Sequence, residues 1–324
     1  MAELDLDELR RRLAAAQITD VAPLAGGASS LTFDGARDGR KVVIKVAQPG
    51  VEPVAHRDVL RQARIIKALA GTPVPVPEVL CEDAGHPPHT PPLFVMSHVE
   101  GDCAEPLFDG VAGADLADLT ERYRNACRTM AALHSIAPAA LGLEGEPVVD
   151  PVAEVHRWCA TLQTVDAALV PDWQDVRDAL LHCAPTALAP SVVHGDFRLG
   201  NLLAVGAGIK AIVDWEIWSV GDARIDAGWF LINCDPDTYR RVPDSAGIAP
   251  PTAELAEIYA QEGGSVGDLA WFTALACFKS AATWSLIVKH NRRRSSPRAE
   301  LEAMAPTLPR LLARARSMVD WRPI

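Results

Sequence analysis

Two stretches of sequence are the most informative about this chain, and they lie close together along it. The first is Val192-Val193-His194-Gly195-Asp196-Phe197-Arg198-Leu199-Gly200-Asn201, and the second is Ile212-Val213-Asp214-Trp215-Glu216. Asp196 and Asn201 stand five positions apart on one predicted loop, and Asp214 ends a β-branched run 13 residues after Asn201. Gly206-Ala207-Gly208 predicts a short hairpin between them, which would return Asp214 to the side of the loop.

The residue types at these positions suit phosphoryl transfer. Such a reaction needs a carboxylate that orients the attacking hydroxyl, and it needs oxygen ligands for Mg²⁺. Asp196 is the candidate catalytic base, and Asn201 and Asp214 are the candidate magnesium ligands. A loop aspartate alone more often caps a turn. The prediction therefore depends on the three residues and their spacing together.

At these residues the sequence resembles the aminoglycoside phosphotransferase family of kinase-like enzymes. The similarity is greatest to the branch related to the phosphotransferase domain fused to some acyl-CoA dehydrogenases. The loop that carries Asp196 is similar to the family's catalytic loop, and Asp214-Trp215-Glu216 is similar to its metal-binding segment. The resemblance covers about residues 23–229. It implies an α+β, bilobal protein-kinase-like fold, with an antiparallel sheet plus helix in the N-lobe and a mainly helical C-lobe.

The pattern along the chain agrees with that fold. Turn-separated β-rich runs precede a first long helical pattern at residues 54–70. After Gly101 the amino-acid composition becomes typical of helices. We therefore expect an N-lobe at 1–96, a hinge at 97–101 and a C-lobe at 102–324. The predicted strands of the N-lobe are residues 21–24, 31–33, 41–46, 79–82 and 93–98. Residues 35–39 predict a turn, and residues 298–318 predict one helix.

The resemblance also implies how a nucleotide would be held. Lys45 would contact the α- and β-phosphates of ATP, and the turn Gly26-Gly27-Ala28-Ser29-Ser30 would cover the phosphates with backbone N–H groups and the hydroxyls of Ser29 and Ser30. The turn, with Gly27 at its centre, lacks the GxGxxG pattern. The family pairs its lysine with a glutamate in the first helix, but this chain has Gln62 there. The lysine would then be held less firmly, or a carboxylate from elsewhere would replace the glutamate.

Further nucleotide contacts are expected in the hinge and the catalytic loop. Met96 would border the adenine slot, the Ser97 C=O would accept from the exocyclic amine, and the Val99 N–H would donate to the ring. The alternative for this stretch is an edge strand that ends in a turn. Arg198 would contact the γ-phosphate, at a point where protein kinases commonly carry a lysine. The alternative for Arg198 is an ion pair with a nearby carboxylate.

The implied function is ATP-dependent transfer of the γ-phosphoryl group to a hydroxyl of a small molecule, which would be an antibiotic or a hydroxylated metabolite. Antibiotic resistance is one role that this implies. The expected cofactors are ATP, with GTP as the alternative, and Mg²⁺. Because Gln62 replaces the glutamate, a nucleotide-binding pseudokinase with a regulatory or scaffolding role stays open. A protein kinase is disfavoured, since no D-F-G to A-P-E activation segment follows Asp214.

Composition excludes several other classes. The net charge of −11 argues against nucleic-acid binding as the main role. The seven cysteines are scattered, without CxxC spacing, which argues against a disulfide framework or a zinc site and for a reducing cytosol. Residues 1–12 lack the apolar core of a secretory signal. Lys279 interrupts the apolar run at 269–288, so a buried helix is expected there instead of a membrane span.

We therefore expect a cytoplasmic enzyme with a small-molecule acceptor, no nucleic-acid or membrane partner, and a monomeric or homodimeric state. One segment departs from the acidic average: residues 289–316 carry eight Lys or Arg and two Glu, a local net charge of +6. This segment is either a solvated helix face or a surface for an anionic acceptor.

Overall fold

The computed structural model describes residues 4–24, 30–240 and 247–319. The chain divides into two compact units, each built from two chain segments. Unit 1 contains Met1–Cys103 and Gly200–Trp218, and unit 2 contains Ala104–Leu199 and Ser219–Ile324. The division falls inside the stretch quoted first above, since Asp196 belongs to unit 2 and Asn201 to unit 1.

Unit 1 is built on a five-stranded antiparallel sheet. Its strands are β1 (Ile18–Pro23), β2 (Ser30–Arg37), β3 (Arg40–Ala47), β4 (Val79–Asp83) and β5 (Leu93–Ser97). Their order is β1-β2-β3-β5-β4. The turn between β2 and β3 is Asp38-Gly39, with φ of 51° and 72°, as a two-residue type I′ turn requires. The predicted turn at residues 35–39 is wrong in extent, because the ladder continues to the pair Arg37–Arg40.

Two helices pack against this sheet, α1 (Leu6–Ala15) and α2 (Val59–Leu69). Each begins after an aspartate, Asp5 or Asp58, whose carboxylate accepts two backbone N–H groups of the first turn. The predicted helix at 54–70 therefore begins later, at Val59, since Ala55–Arg57 form a separate 3₁₀ turn before the Asp58 cap. The buried face of α2 includes Gln62 together with its apolar residues.

The second segment of unit 1 begins at Gly200, inside the 3₁₀ turn Leu199–Asn201, and continues as a hairpin, β8 (Leu202–Val205) and β9 (Gly208–Ile212). Asp102 and Ala204 exchange two backbone hydrogen bonds of 3.0 Å, and these hold the hairpin. Gly101 is required beside them: its φ is 144°, and a Cβ there would lie 2.8 Å from the Ala204 oxygen. The predicted C-lobe at 102–324 includes this hairpin, whereas the compact division assigns it to unit 1. The lobe limits themselves stay a prediction.

Unit 2 is mainly helical, with a small sheet in the order β6-β10-β7. Its strands are β6 (Val148–Val149), β7 (Ser191–Val193) and β10 (Ser219–Gly221). Its helices are α3 (Pro106–Asp109), α4 (Leu116–His134), α5 (Pro151–Leu162), α6 (Trp173–His182), α7 (Arg224–Cys234), α8 (Pro236–Tyr239), α9 (Thr252–Gln261), α10 (Leu269–Arg292), α11 (Ala299–Glu302) and α12 (Leu308–Met318). The single helix predicted at 298–318 is wrong, because Pro306 lies in a 3₁₀ turn between α11 and α12 and has no N–H for a continuous helix.

Helix α10 is the centre of unit 2. Among the described residues it alone is long and apolar enough to cross a membrane, by length and composition only, and 72% of its most apolar window is buried inside the protein. Trp271, Phe272 and Phe278 pack in the core of unit 2. The core helix of a globular protein meets the same criterion, so α10 is weak evidence for a membrane span. The sheet and helices together confirm the predicted α+β class.

Candidate active site

Lys45 lies on β3, between Thr32 of β2 and Phe94 of β5. Its Nζ donates to Asp214 Oδ1 at 3.0 Å. The Lys45 side chain is 12% exposed and the Asp214 side chain 38% exposed, so the lysine is largely buried while solvent reaches the carboxylate and partly screens the attraction. The predicted phosphate-binding lysine and a predicted metal-binding aspartate therefore lie side by side in unit 1.

Asp214 follows β9 with a φ of 65°, a left-handed conformation that is uncommon outside glycine. The hairpin returns this residue to Asn201, as the sequence predicts: the Val213 N–H donates to the Asn201 C=O at 2.9 Å. An amide and a carboxylate carried by adjacent backbone supply hard oxygen ligands, which fit Mg²⁺ because that ion keeps several waters and phosphate oxygens. No group of three or more His, Cys, Asp or Glu that could hold a metal is present in the described part of the chain.

Gln62 lies on α2 and is 2% exposed. Its Nε2 has no hydrogen-bond partner within residues 4–24, 30–240 and 247–319. The described hydrogen bond of Lys45 goes to Asp214. Ser30 begins β2 and is also buried, and its Oγ has no partner within the same ranges. The other two turn residues that the sequence analysis assigned to the phosphates, Gly27 and Ser29, lie outside the described residues.

The hinge candidates lie at the end of β5. Met96 is buried opposite Val43 of β3, and Ser97 is half-buried at the strand end. Val99 follows two positions later and is half-buried. Because β5 lies between β3 and β4, the alternative of an edge strand is wrong. The adenine contacts of these three residues stay a prediction.

Asp196 lies in unit 2, on the loop that follows β7, and its neighbours orient it. The Trp229 indole N–H donates to Oδ1 at 2.8 Å, and Arg198 Nε is 3.3 Å from both carboxylate oxygens. The Asp196 N–H donates to His194 Nδ1 at 3.1 Å, which gives that buried histidine a structural role in the loop. The Asp196 side chain is 23% exposed. A carboxylate that is fixed by neighbours and still reachable suits the orientation of a hydroxyl.

Arg198 links two carboxylates, because its guanidinium also donates to Glu105. Burial raises the pKa of Glu105, and the Arg198 charge opposes that rise. Burial lowers the pKa of Arg198, but the charges of Asp196 and Glu105 outweigh it, so its pKa lies above the ordinary value. The geometry favours the ion-pair alternative for Arg198. Its contact with a γ-phosphate stays a prediction.

Asp226, on α7, fixes the backbone of the loop that carries Asp196. Its side chain is fully buried and accepts the N–H of His194 at 2.6 Å and that of Gly195 at 2.8 Å. His134 Nε2 lies 3.2 Å from the same carboxylate. Burial alone raises the pKa of Asp226, but the hydrogen bond and charge of His134 and the contacts of His194 outweigh burial and lower it. Asp226 is thus held as an anion that accepts from the loop.

Lys279 supports the same loop from α10. It is 3% exposed, and its ammonium donates to the Gly195 carbonyl. The ammonium also lies 4.0 Å from the ring centroid of Trp229, within range of a cation–π contact. Burial lowers the pKa of Lys279, and the charges of Glu154 and Asp196 oppose that change. The lysine therefore contacts both the loop backbone and the indole that binds Asp196.

Three site residues were not assigned from the sequence: Glu105, Trp229 and Lys279. Lys279 carried a signal, since it interrupts the apolar run of α10, where an unpaired charge is costly. Trp229 is the last residue of the region that resembles the family, but no sequence motif around it indicates a contact with Asp196. Glu105 is 93 positions from Arg198 along the chain, and no motif links the two.

Comparison with known proteins identifies the family of this chain. Residues 20–275 match the model of the phosphotransferase enzyme family, which is abbreviated APH. Acyl-CoA dehydrogenase family member 11 of Pongo abelii is 28% identical over 279 residues, which cover 81% of this chain and 35% of that protein. The chain therefore spans about a third of the length of the curated relatives it matches.

Solved structures share the fold. A putative aminoglycoside phosphotransferase from Ralstonia eutropha JMP134 has a TM-score of 0.78 at 23% identity, with 98% of each chain covered. A thermostable mutant of aminoglycoside phosphotransferase APH(4)-Ia, in a ternary complex with ADP and hygromycin B, has a TM-score of 0.63 at 15% identity, with 96% of this chain and 98% of that chain covered. Both likenesses show the kinase-like fold with its antiparallel N-terminal sheet and helical C-terminal part. Together with the match over residues 20–275, they show that this chain belongs to the phosphotransferase enzyme family.

Proposed function

We propose that this protein is an ATP-dependent phosphotransferase that moves the γ-phosphoryl group to a hydroxyl of a small molecule. The observation that carries the proposal is the hydrogen bond of 3.0 Å from Lys45 Nζ to Asp214 Oδ1. Asp214 lies in a turn next to Asn201, because the N–H of the preceding Val213 donates to the Asn201 C=O. A lysine that suits phosphate oxygens and two oxygen ligands that suit Mg²⁺ are the parts that phosphoryl transfer from a nucleotide requires. The ADP bound to the APH(4)-Ia structure supports ATP as the nucleotide, with GTP as the alternative.

Each residue has a separate task in this proposal. Asp196, held by Trp229, orients the acceptor hydroxyl and accepts its proton. Lys45 holds the α- and β-phosphates. A magnesium ion bound by Asn201 and Asp214 supplies charge that neutralises the phosphate oxygens. The remaining predicted nucleotide contacts are the backbone and hydroxyls of Gly27, Ser29 and Ser30 at the phosphates and Met96, Ser97 and Val99 at the adenine.

A small molecule is favoured as the acceptor. Helix α7 begins at Arg224, ten residues after Asp214, so no long activation segment of the protein-kinase type lies between them. The APH(4)-Ia complex holds hygromycin B, which supports an antibiotic or a hydroxylated metabolite as the acceptor of this chain. We place the reaction in the cytoplasm, with the protein as a monomer or homodimer.

The test is a transfer assay with γ-labelled ATP and Mg²⁺ against a panel of hydroxylated metabolites and antibiotics. The wild type should label at least one acceptor. Asp196→Asn should lower kcat by about 10²-fold or more, while nucleotide affinity stays within a few-fold, because the base acts on the acceptor. The matched control is Asp175→Asn, which changes an exposed aspartate of unit 2 and should leave transfer unchanged.

Two outcomes would contradict the proposal. Near wild-type kcat in Asp196→Asn would show that Asp196 is not the base. Tight nucleotide binding without turnover on any acceptor would favour the pseudokinase, which the neutral Gln62 motivates.

A further inference from the structure

Lys45 has a second carboxylate within reach, which the sequence analysis did not assign to it. Glu216 Oε1 lies 3.9 Å from Lys45 Nζ, and the Glu216 side chain is 18% exposed. Trp215 separates the two acidic residues; it is fully buried, and its indole N–H donates to the Ile212 C=O at 3.1 Å. A buried tryptophan thus fixes the turn that presents both Asp214 and Glu216 to the lysine.

Asp214 cannot serve Lys45 in the same way once it binds a divalent cation. The charge of the metal offsets that of the carboxylate, and two cations at one carboxylate repel each other. Helix α2 provides no carboxylate in compensation, because its residues include no Asp or Glu and Gln62 is a neutral amide. In the described part of the chain, Glu216 is the other carboxylate that pairs with Lys45.

We propose that Glu216 is the positioning residue that holds Lys45 when the nucleotide and Mg²⁺ are bound. This inference rests on the proposed function, from which it takes the nucleotide. In the metal-free protein Lys45 is held by Asp214, at the shorter distance. With Asp214 serving as a magnesium ligand, Glu216 would keep the Lys45 ammonium in place for the phosphates. Glu216 acts through the lysine and does not contact the reacting atoms.

The test is calorimetric titration of AMP-PNP, with and without Mg²⁺, into the wild type, Glu216→Gln, Lys45→Met and the double variant. With Mg²⁺, Glu216→Gln should weaken nucleotide binding about tenfold, because it removes the carboxylate charge that lies 3.9 Å from the Lys45 ammonium. Without Mg²⁺ its effect should stay within about twofold, because Asp214 still holds the lysine. In the Lys45→Met background Glu216→Gln should add nothing. The matched control is Glu78→Gln, at an exposed glutamate of unit 1.

A purely structural role of Glu216 predicts a different result. Equal weakening with and without Mg²⁺, or a full effect in the Lys45→Met background, would overturn the inference. If Glu216→Gln does not fold, Glu216→Asp keeps the charge on a shorter side chain and should give a smaller loss that again requires Mg²⁺; a loss independent of Mg²⁺ would overturn it. A wild type that does not bind the nucleotide would overturn the proposed function itself, whereas normal binding by Glu216→Gln would overturn this inference alone.

Discussion

Asp214 has two candidate partners of positive charge. It forms an ion pair with the Lys45 ammonium, and it is a candidate ligand of Mg²⁺. Asp214 has a φ of 65°, which is a left-handed conformation typical of a turn and not of a strand. A residue that replaces it must therefore be able to adopt a left-handed conformation without much strain. Asparagine does so, because its short polar side chain adopts left-handed conformations more readily than most residues. Asp214→Asn therefore changes charge with little change of backbone.

We expect Asp214→Asn to remove most of the gain in nucleotide affinity that Mg²⁺ provides, and Asn201→Ala to remove less of it. The reason is that a carboxylate is a stronger ligand for a hard cation than a neutral amide. Titration of nucleotide at increasing Mg²⁺ measures both effects. Asp38→Asn is the matched control, since Asp38 is exposed and has a φ of 51°. Unchanged metal dependence in both site variants would contradict the ligand assignment.

At the scale of elements, the loop that carries Asp196 is held from α7 and α10. Trp229 donates to the carboxylate of Asp196, and Lys279 donates to the carbonyl of Gly195. The first contact orients the Asp196 carboxylate and the second supports its backbone, and small displacements of a reacting group are costly in rate.

We expect Trp229→Phe to lower kcat about tenfold with little change in the KM for ATP, because it removes one hydrogen bond to the base. Lys279→Met should act in the same direction. Steady-state kinetics at saturating ATP separates kcat from KM. The matched control is Trp173→Phe, which alters a buried indole in the core of unit 2 away from the contacts described for Asp196. A rise in KM for ATP at unchanged kcat would contradict the positioning role.

Asp226 should contribute to stability in a pH-dependent way. Its folded pKa lies below the ordinary value, so its contribution is complete above the unfolded value of about 3.9 and is lost as pH falls through the folded pKa. Asp226→Asn sets an amide against N–H donors and should cost about 2 to 3 kcal/mol in free energy of unfolding at neutral pH. Urea unfolding at several pH values measures this cost. The difference from wild type should shrink below about pH 4, and a constant difference would contradict the mechanism.

The sequence predicts elements better than it predicts contacts between them. Lys45, Asn201 and Asp214 could be named as candidates because the family resemblance and short-range patterns indicate them: a β-rich run, a glycine turn and a fixed spacing. Trp229 contacts Asp196 across 33 positions, and Lys279 contacts Gly195 across 84. Such contacts depend on how helices pack, which periodicity does not specify. The break at Pro306 was visible in the sequence, but the basic, apolar-periodic pattern around it suggested one helix.

The whole chain has a net charge of −11, whereas the basic segment at 289–316 has a local net charge of +6. Part of its charge is already neutralised in the structure. Arg292 pairs with Glu302 and Arg298 pairs with Glu300, both at 2.6 Å, and Arg314 pairs with Asp235. The Arg292–Glu302 and Arg298–Glu300 pairs are exposed, and exposed pairs contribute little to stability, typically below about 1 kcal/mol. Arg293 and Arg294 remain exposed at the end of α10. These contacts favour a solvated helix end over a binding surface for an anionic acceptor.

We therefore expect the double variant Arg293→Glu/Arg294→Glu to leave acceptor KM within about twofold of wild type and the free energy of unfolding within about 1 kcal/mol. This variant keeps the Arg292–Glu302 pair, so a loss cannot be attributed to that contact. Kinetics with the acceptor found in the transfer assay, at low and at high salt, makes the measurement. If Arg293 or Arg294 binds an anionic acceptor, removing the guanidinium weakens acceptor binding. Salt screens that attraction, so the loss of affinity is smaller at high salt. A rise in acceptor KM that is large at low salt and small at high salt would therefore show that the segment binds an anionic acceptor after all.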